Sequence, residues 1–232
     1  MQPLLNQFES PVLDYRTDGL PRTIAERTRR VYDLLAGIYP LSTFLFHSRA
    51  HRCALEVSGI RDGMSVLEVA TGSGEMLRRL VRVNRNGRTV GLDLSPNMAA
   101  RSLRRVRRDY PASSTECQAV DARYLPFRDE SFDAVVCCYL LELLSSDDIV
   151  MALGEIHRVL RRRGRLTLVC IGENVELFNR LYHMATSMAP AFWGRQVEQR
   201  LPELIASCDF RLVSDRTVRQ SGYPSRVLAA KK

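Results

Sequence analysis

The sequence predicts one doubly wound α/β domain, an open and mostly parallel sheet with helices on both faces. Three observations predict it. Short β-rich runs alternate with amphipathic helical stretches from about residue 61 onward; the first run leads through a glycine turn into a helix; and 232 residues suit one such domain with a small attachment better than two.

Residues 1–22, with Pro3, Pro11, Gly19 and Pro21 and no sustained period, read as a loosely held extension. Residues 23–60 read as N-terminal helices capping the site. Ile24, Val31, Leu34 and Leu35 keep near-heptad spacing up to Pro40, and a second helix covers Ser42 to Val57. The domain proper, 61–232, begins with a strand over Ser65 to Val69 and a helix from Glu75. A strand over Thr89 to Leu92 precedes a helix from Pro96. Cys117 to Val120 reads as the third strand, and Phe132 to Cys138 as the fourth, followed by a helix over Asp147 to Leu160 and a fifth strand over Arg165 to Ile171. An insert at about 172–208 carries helices over Val175 to Met188 and Val197 to Ser207. Phe210 to Val213 and Arg226 to Ala229 read as closing strands.

Composition narrows the function classes. The six cysteines include no C-x-x-C pair, and neighbouring Cys137 and Cys138 point to opposite faces of a strand, so no metal site is expected and a reducing, cytoplasmic setting is. Neither an 18-residue apolar run nor signal-peptide grammar is found. The net charge is +8, and all basic residues but Lys231 and Lys232 are arginines. The densest run, Arg101 to Arg108, wraps around a helix and leaves Leu103 and Val106 as its inward candidates. The plain reading is a solvated basic helix; the alternative is weak peripheral association with an anionic membrane at the inner surface.

Chemistry concentrates at the strand ends. In the first turn, Gly72 and Gly74 remove side chains where a ligand touches the main chain, Ala70 is small, and Thr71 and Ser73 complete the loop. A dinucleotide fingerprint needs a third glycine where Leu77 stands, and Glu68 and Glu75 flanking the loop repel a pyrophosphate. The pocket instead suits an adenosine bearing a cationic group. Asp93, about 20 residues past the loop at the end of the second strand, is placed for ribose hydroxyls. Asp121 beside Ala122 is placed for an exocyclic amine, with Leu94 and Met98 for the ring. Asp93 as a helix N-cap and Asp121 as a turn residue are the alternatives.

These segments, VLEVATGSGE, VGLDLSPNM, QAVDARYLPFRDESFDAVV and EIHRVLRRRGRLTLV, resemble the class I S-adenosylmethionine-dependent methyltransferases, in particular the ubiquinone/menaquinone-biosynthesis C-methyltransferase type and bacterial phosphatidylethanolamine N-methyltransferases. The resemblance implies a Rossmann-like seven-stranded sheet with the last strand antiparallel. It implies S-adenosyl-L-methionine as cofactor, with its methionine part on Glu68 to Gly74, its ribose on Asp93, its adenine on Asp121 and Ala122, and Cys138 at the rim below the sulfonium. Tyr32 or Tyr39 would cap it. Two departures stand out: Ala70 replaces the usual first glycine, and Leu140-Leu141-Glu142-Leu143 replaces the quinone enzymes' Gly-Leu-Arg-Asn, which argues against quinone C-methylation.

Methyl transfer from a sulfonium requires alignment and exclusion of water, and a base only where the acceptor arrives protonated. No catalytic residue is assigned outright; Glu142 and His47 are the candidates, each with a structural alternative. Tyr39, Tyr139, Phe178, Tyr182 and Trp193 are the candidate acceptor contacts and suggest a small, apolar or lipid-like molecule. Without a Pro-Cys dipeptide or an Asn-Pro-Pro-Tyr-like loop, nucleic acid is not the expected acceptor. A non-catalytic, cofactor-binding regulatory module is the competing reading.

Overall fold

The structure, a computed structural model, describes residues 39–172, 201–220 and 223–232. Helix α1 spans Tyr39–Ser58, and Pro40 is tolerated because it sits in the first turn, where the missing N–H has no partner to lose. There follow β1 (Ser65–Val69), α2 (Glu75–Val83), β2 (Arg88–Asp93), α3 (Pro96–Asp109), β3 (Ser114–Ala119), β4 (Phe132–Cys138), a 3₁₀ turn (Leu141–Leu143), α4 (Ser146–Val159), β5 (Leu160–Ile171), α5 (Leu201–Ser207), β6 (Arg211–Gln220) and β7 (Tyr223–Lys231).

The strands form one seven-stranded sheet in the order β3-β2-β1-β4-β5-β7-β6. β1 to β5 pair in parallel, whereas β7 runs antiparallel to both its neighbours. The last strand is therefore the antiparallel one. The order reverses between β1 and β4, which puts the ligand crevice at their carboxyl ends.

Two apolar layers flank the sheet, and strand periodicity sorts side chains between them. Leu67, Val135, Cys137 and Leu168 face the layer containing Ile149, Leu153 and Ile156 of α4. Val66, Val136, Cys138 and Val169 face Ala50 and Ala54 of α1 and Met76 and Leu80 of α2. Cys137 and Cys138 do part to opposite faces.

Differences from the sequence reading are physical. β3 begins three residues early because its alternating polar residues hide an edge strand, and β6 runs on to Gln220 for the same reason. β5 begins at Leu160 rather than Arg165: Leu160 pairs with Phe132 ahead of an irregularity that shifts the register by Ala134 and Arg165. On α3 the fully buried residues are Met98, Ala99, Ser102 and Val106, with Leu103 only half-buried. A serine inside a basic helix was not expected to face inward; its reason is the glycine turn beneath it. No described helix is long and apolar enough to cross a membrane.

Candidate functional site

The turn after β1 folds back on itself through three left-handed residues, Ala70 (φ 63°), Gly72 (φ 49°) and Gly74 (φ 74°). The Thr71 amide donates to the Leu92 carbonyl at 2.9 Å, tying the turn to β2. One side packs on α3: a Cβ on Gly74 would lie 2.8 Å from Ser102 Cα, Ser102 Oγ donates to the Gly72 carbonyl at 3.1 Å, and Arg105 donates to the Ser73 carbonyl at 3.2 Å. The other side is open, since a Cβ on Gly72 would meet nothing within 4 Å. Gly74 thus serves helix packing, and Gly72 is where the bare main chain faces a ligand.

Arg105 shows that the basic run on α3 is not wholly solvated. Its guanidinium also meets Glu75 Oε2 at 2.5 Å, and Arg79 and Arg78 reach Oε1 at 3.0 and 3.2 Å. Glu75 is therefore paired with three arginines rather than standing alone beside the turn. The other acids at the turn are Asp93 and the buried Glu68.

Asp93 closes β2 and braces the turn. Its Oδ2 accepts from the Gly72 amide at 2.8 Å and its Oδ1 from the Ser95 amide at 2.9 Å. The N-cap of α3 is Ser95, whose Oγ accepts from the Met98 amide at 3.2 Å, with Pro96 following. Glu68 is 1% exposed and its Oε2 has no hydrogen-bond partner; burial first, then the charges of Asp93 and Glu75, push its pKa well above the ordinary range. Thr71 Oγ1 is likewise buried and unpartnered.

Val69, Ala70, Asp93, Leu94, Asp121 and Ala122 line one cavity of about 420 Å³. Its far wall is Leu140, Leu143 and Leu144, and Ser145 and Asp148 bring the start of α4 to it. Asp121 is held by Arg123, whose other nitrogen meets Asp148 at 2.8 Å. The apolar far wall and this Asp121–Arg123–Asp148 bridge were missed in the sequence. The available signal was Ser145-x-x-Asp148, a helix start at the same sheet edge as the glycine turn, and Ser145 Oγ does accept from the Asp148 amide. Met98, 1% exposed, lies in the core outside the cavity wall, and Cys138, 9% exposed, packs in the α1-side layer.

Beyond β4 a second cluster forms. Tyr139, left-handed at φ 55°, shares a 2.7 Å hydrogen bond with Ser225 of β7, and the His47 ring lies 4.2 Å from its own. His51, one turn on, is 6.2 Å from His47. Burial lowers His47 to about 4 and His51 to about 3, so both are neutral; His51 Nδ1 has no partner. The structure offers no grouping of metal ligands among the described residues.

Glu142 is 2% exposed, and burial raises its pKa to about 7. Its Oε1 accepts from the Ile171 amide at 2.5 Å, linking the turn after β4 to the end of β5, while Oε2 is unpartnered. It is not part of the cavity wall. Tyr39 opens α1; Tyr32, Phe178, Tyr182 and Trp193 lie outside the described residues.

Comparison with known proteins agrees with this geometry. Residues 66–164 match the family model described as a methyltransferase domain. The chain is 30% identical over 179 residues to the ubiquinone/menaquinone biosynthesis C-methyltransferase of Methylococcus capsulatus, covering 75% of this chain and 71% of that one. It is 28% identical over 151 residues to the 2-phytyl-1,4-naphtoquinone methyltransferase of a Nostoc species, covering 63% of this chain and 65% of that one. Among solved structures, the fold is shared with a Haloferax volcanii methyltransferase complexed with its Trm112 activator (TM-score 0.73, 19% identity, 88% of this chain and 96% of that one). It is also shared with the N-methyltransferase NodS of Bradyrhizobium japonicum (TM-score 0.71, 14% identity, 88% and 98%).

Proposed function

Because the chain belongs to the class I S-adenosylmethionine-dependent methyltransferases, we propose that its acceptor is a small, apolar or lipid-like molecule admitted beside the end of β4. The residues present fit the cofactor. Glu68 Oε2 and Thr71 Oγ1 are buried without partners, and the open side of Gly72 leaves main chain bare toward a ligand. Asp93, at the end of β2 in the cavity wall, takes the ribose hydroxyls, Asp121 and Ala122 with Leu94 take the adenine, and Glu68 answers the ammonium. When bound, S-adenosylmethionine supplies an electrophilic methyl group on a sulfonium.

The chain's own task is to orient the acceptor and keep water out. The apolar wall of Leu140, Leu143 and Leu144 serves exclusion. His47, neutral and with its ring tilted against that of Tyr139, is the base on the β4 side for an acceptor that arrives protonated. Glu142 is a structural link in this reading. Residues 23–60 and 172–208 are assigned the rest of the acceptor's enclosure, on the aromatic content that includes Phe178, Tyr182 and Trp193.

The single observation that carries the reading is one cavity walled jointly by Asp93, Asp121 and Ala70, the first residue of the glycine turn. The test is turnover with labelled cofactor against quinone, phospholipid and water-soluble extracts. Label transferred to organic-phase products supports the apolar acceptor. Label confined to water-soluble products overturns it, and cofactor binding without turnover in any fraction favours a regulatory module.

A further inference from the structure

At the opposite edge of the sheet, where the parallel strands begin, we infer a site for a phosphoryl-bearing anion built from Arg162, Arg163 and Lys232. These three residues line a hollow of about 540 Å³. Arg162 and Arg163 are exposed and make no hydrogen bond or ion pair among the described residues. Lys232 Nζ is already oriented, donating to the His157 and Leu160 carbonyls at 2.8 Å each, which leaves one ammonium N–H for a ligand.

Arg165, Lys231 and Arg211 stand opposite one another in adjacent strands and add positive charge to this end of the sheet, but Arg165 turns to the Val57 carbonyl on the α1 side, so the row does not line the hollow. Arg161 is paired with Asp133 at 2.6 Å, and His157 feels the charges of both Lys232 and Asp209. Arg163 itself adopts φ 64°, a conformation that favours glycine. Two exposed guanidinium groups and an oriented ammonium around one hollow suit a phosphoryl group, since guanidinium forks match its oxygens and an ammonium adds a point charge. The edge lies across the sheet from the cofactor cavity, so a ligand here leaves that cavity free. The inference stands apart from the methyl-transfer reading.

The phosphoryl group comes either from a soluble compound or from a lipid headgroup, and two probes separate these. Inorganic pyrophosphate is titrated calorimetrically at low ionic strength, and phosphatidylglycerol vesicles are tested by flotation, each against the full chain and two variants. Arg162→Gln/Arg163→Gly removes two of the site's cations while relieving the strain at 163, so it remains folded. Arg104→Gln/Arg107→Gln removes the same charge from exposed positions of α3. The inference expects the first variant to weaken binding about tenfold or more and the second to weaken it far less. Pyrophosphate binding identifies a soluble source, and vesicle binding without pyrophosphate binding identifies a headgroup. Binding of neither probe, or equal weakening in both variants, overturns the site.

Discussion

Asp93 holds the amide of Gly72, Oδ2 to N, at 2.8 Å. The carboxylate assigned to the ribose therefore also fixes the bare main chain of the glycine turn, and a second amide, that of Ser95, occupies its other oxygen. Cofactor recognition and loop geometry share one side chain.

Binding should be linked to a proton at Glu68. Free of ligand, burial and the carboxylates of Asp93 and Glu75 keep Glu68 protonated above the ordinary range. A ligand ammonium beside it favours the ionised form, so binding releases a proton and strengthens as pH rises toward the raised pKa. Calorimetry in two buffers of different ionisation enthalpy should return about one proton released per cofactor, abolished in Glu68→Gln. An identical count in wild type and variant would remove Glu68 from the ammonium site.

Ala70 bears a Cβ in a left-handed conformation, φ 63°. Ala70→Gly should raise stability by about 1 kcal/mol, roughly 3 °C in melting temperature for a chain of this size. A fall in melting temperature would mean that Ala70 is held by packing rather than strained.

Glu142 gives stability a pH dependence of definite sign. The folded chain keeps its proton to about pH 7, while the unfolded chain releases it near the ordinary 4.5. Its contribution is complete below 4.5 and is lost as pH rises through 7, an effect of about 3 kcal/mol. Denaturant unfolding of wild type and Glu142→Gln at pH 4.5 and 8 should show the variant gaining relative to wild type at the higher pH. A constant difference between the two would contradict the raised pKa.

Much of this was legible in the sequence because strand ends are marked by residues with few alternatives. Val69-Ala70-Thr71-Gly72-Ser73-Gly74 between an apolar strand and a helix admits little but a tight turn, and Asp93 and Asp121 end their runs visibly. What was not legible depended on distant pairing. Glu75 looked like part of a negative wall until Arg105, from the next helix, reached it. Glu142 looked like an edge carboxylate until β5 supplied the Ile171 amide. Neither partner is near in sequence, and no local period announces them.

The most direct test of the account is the calorimetric affinity for S-adenosylmethionine of wild type, Asp93→Ala and Asp93→Asn, each shown folded by circular dichroism. Wild type should bind S-adenosylmethionine and not NAD. Asp93→Ala should lose about 1.5 to 3 kcal/mol of binding, and Asp93→Asn, which keeps one acceptor oxygen, should lose less. Unchanged affinity in a folded Asp93→Ala chain would contradict the placement of the cofactor in this cavity.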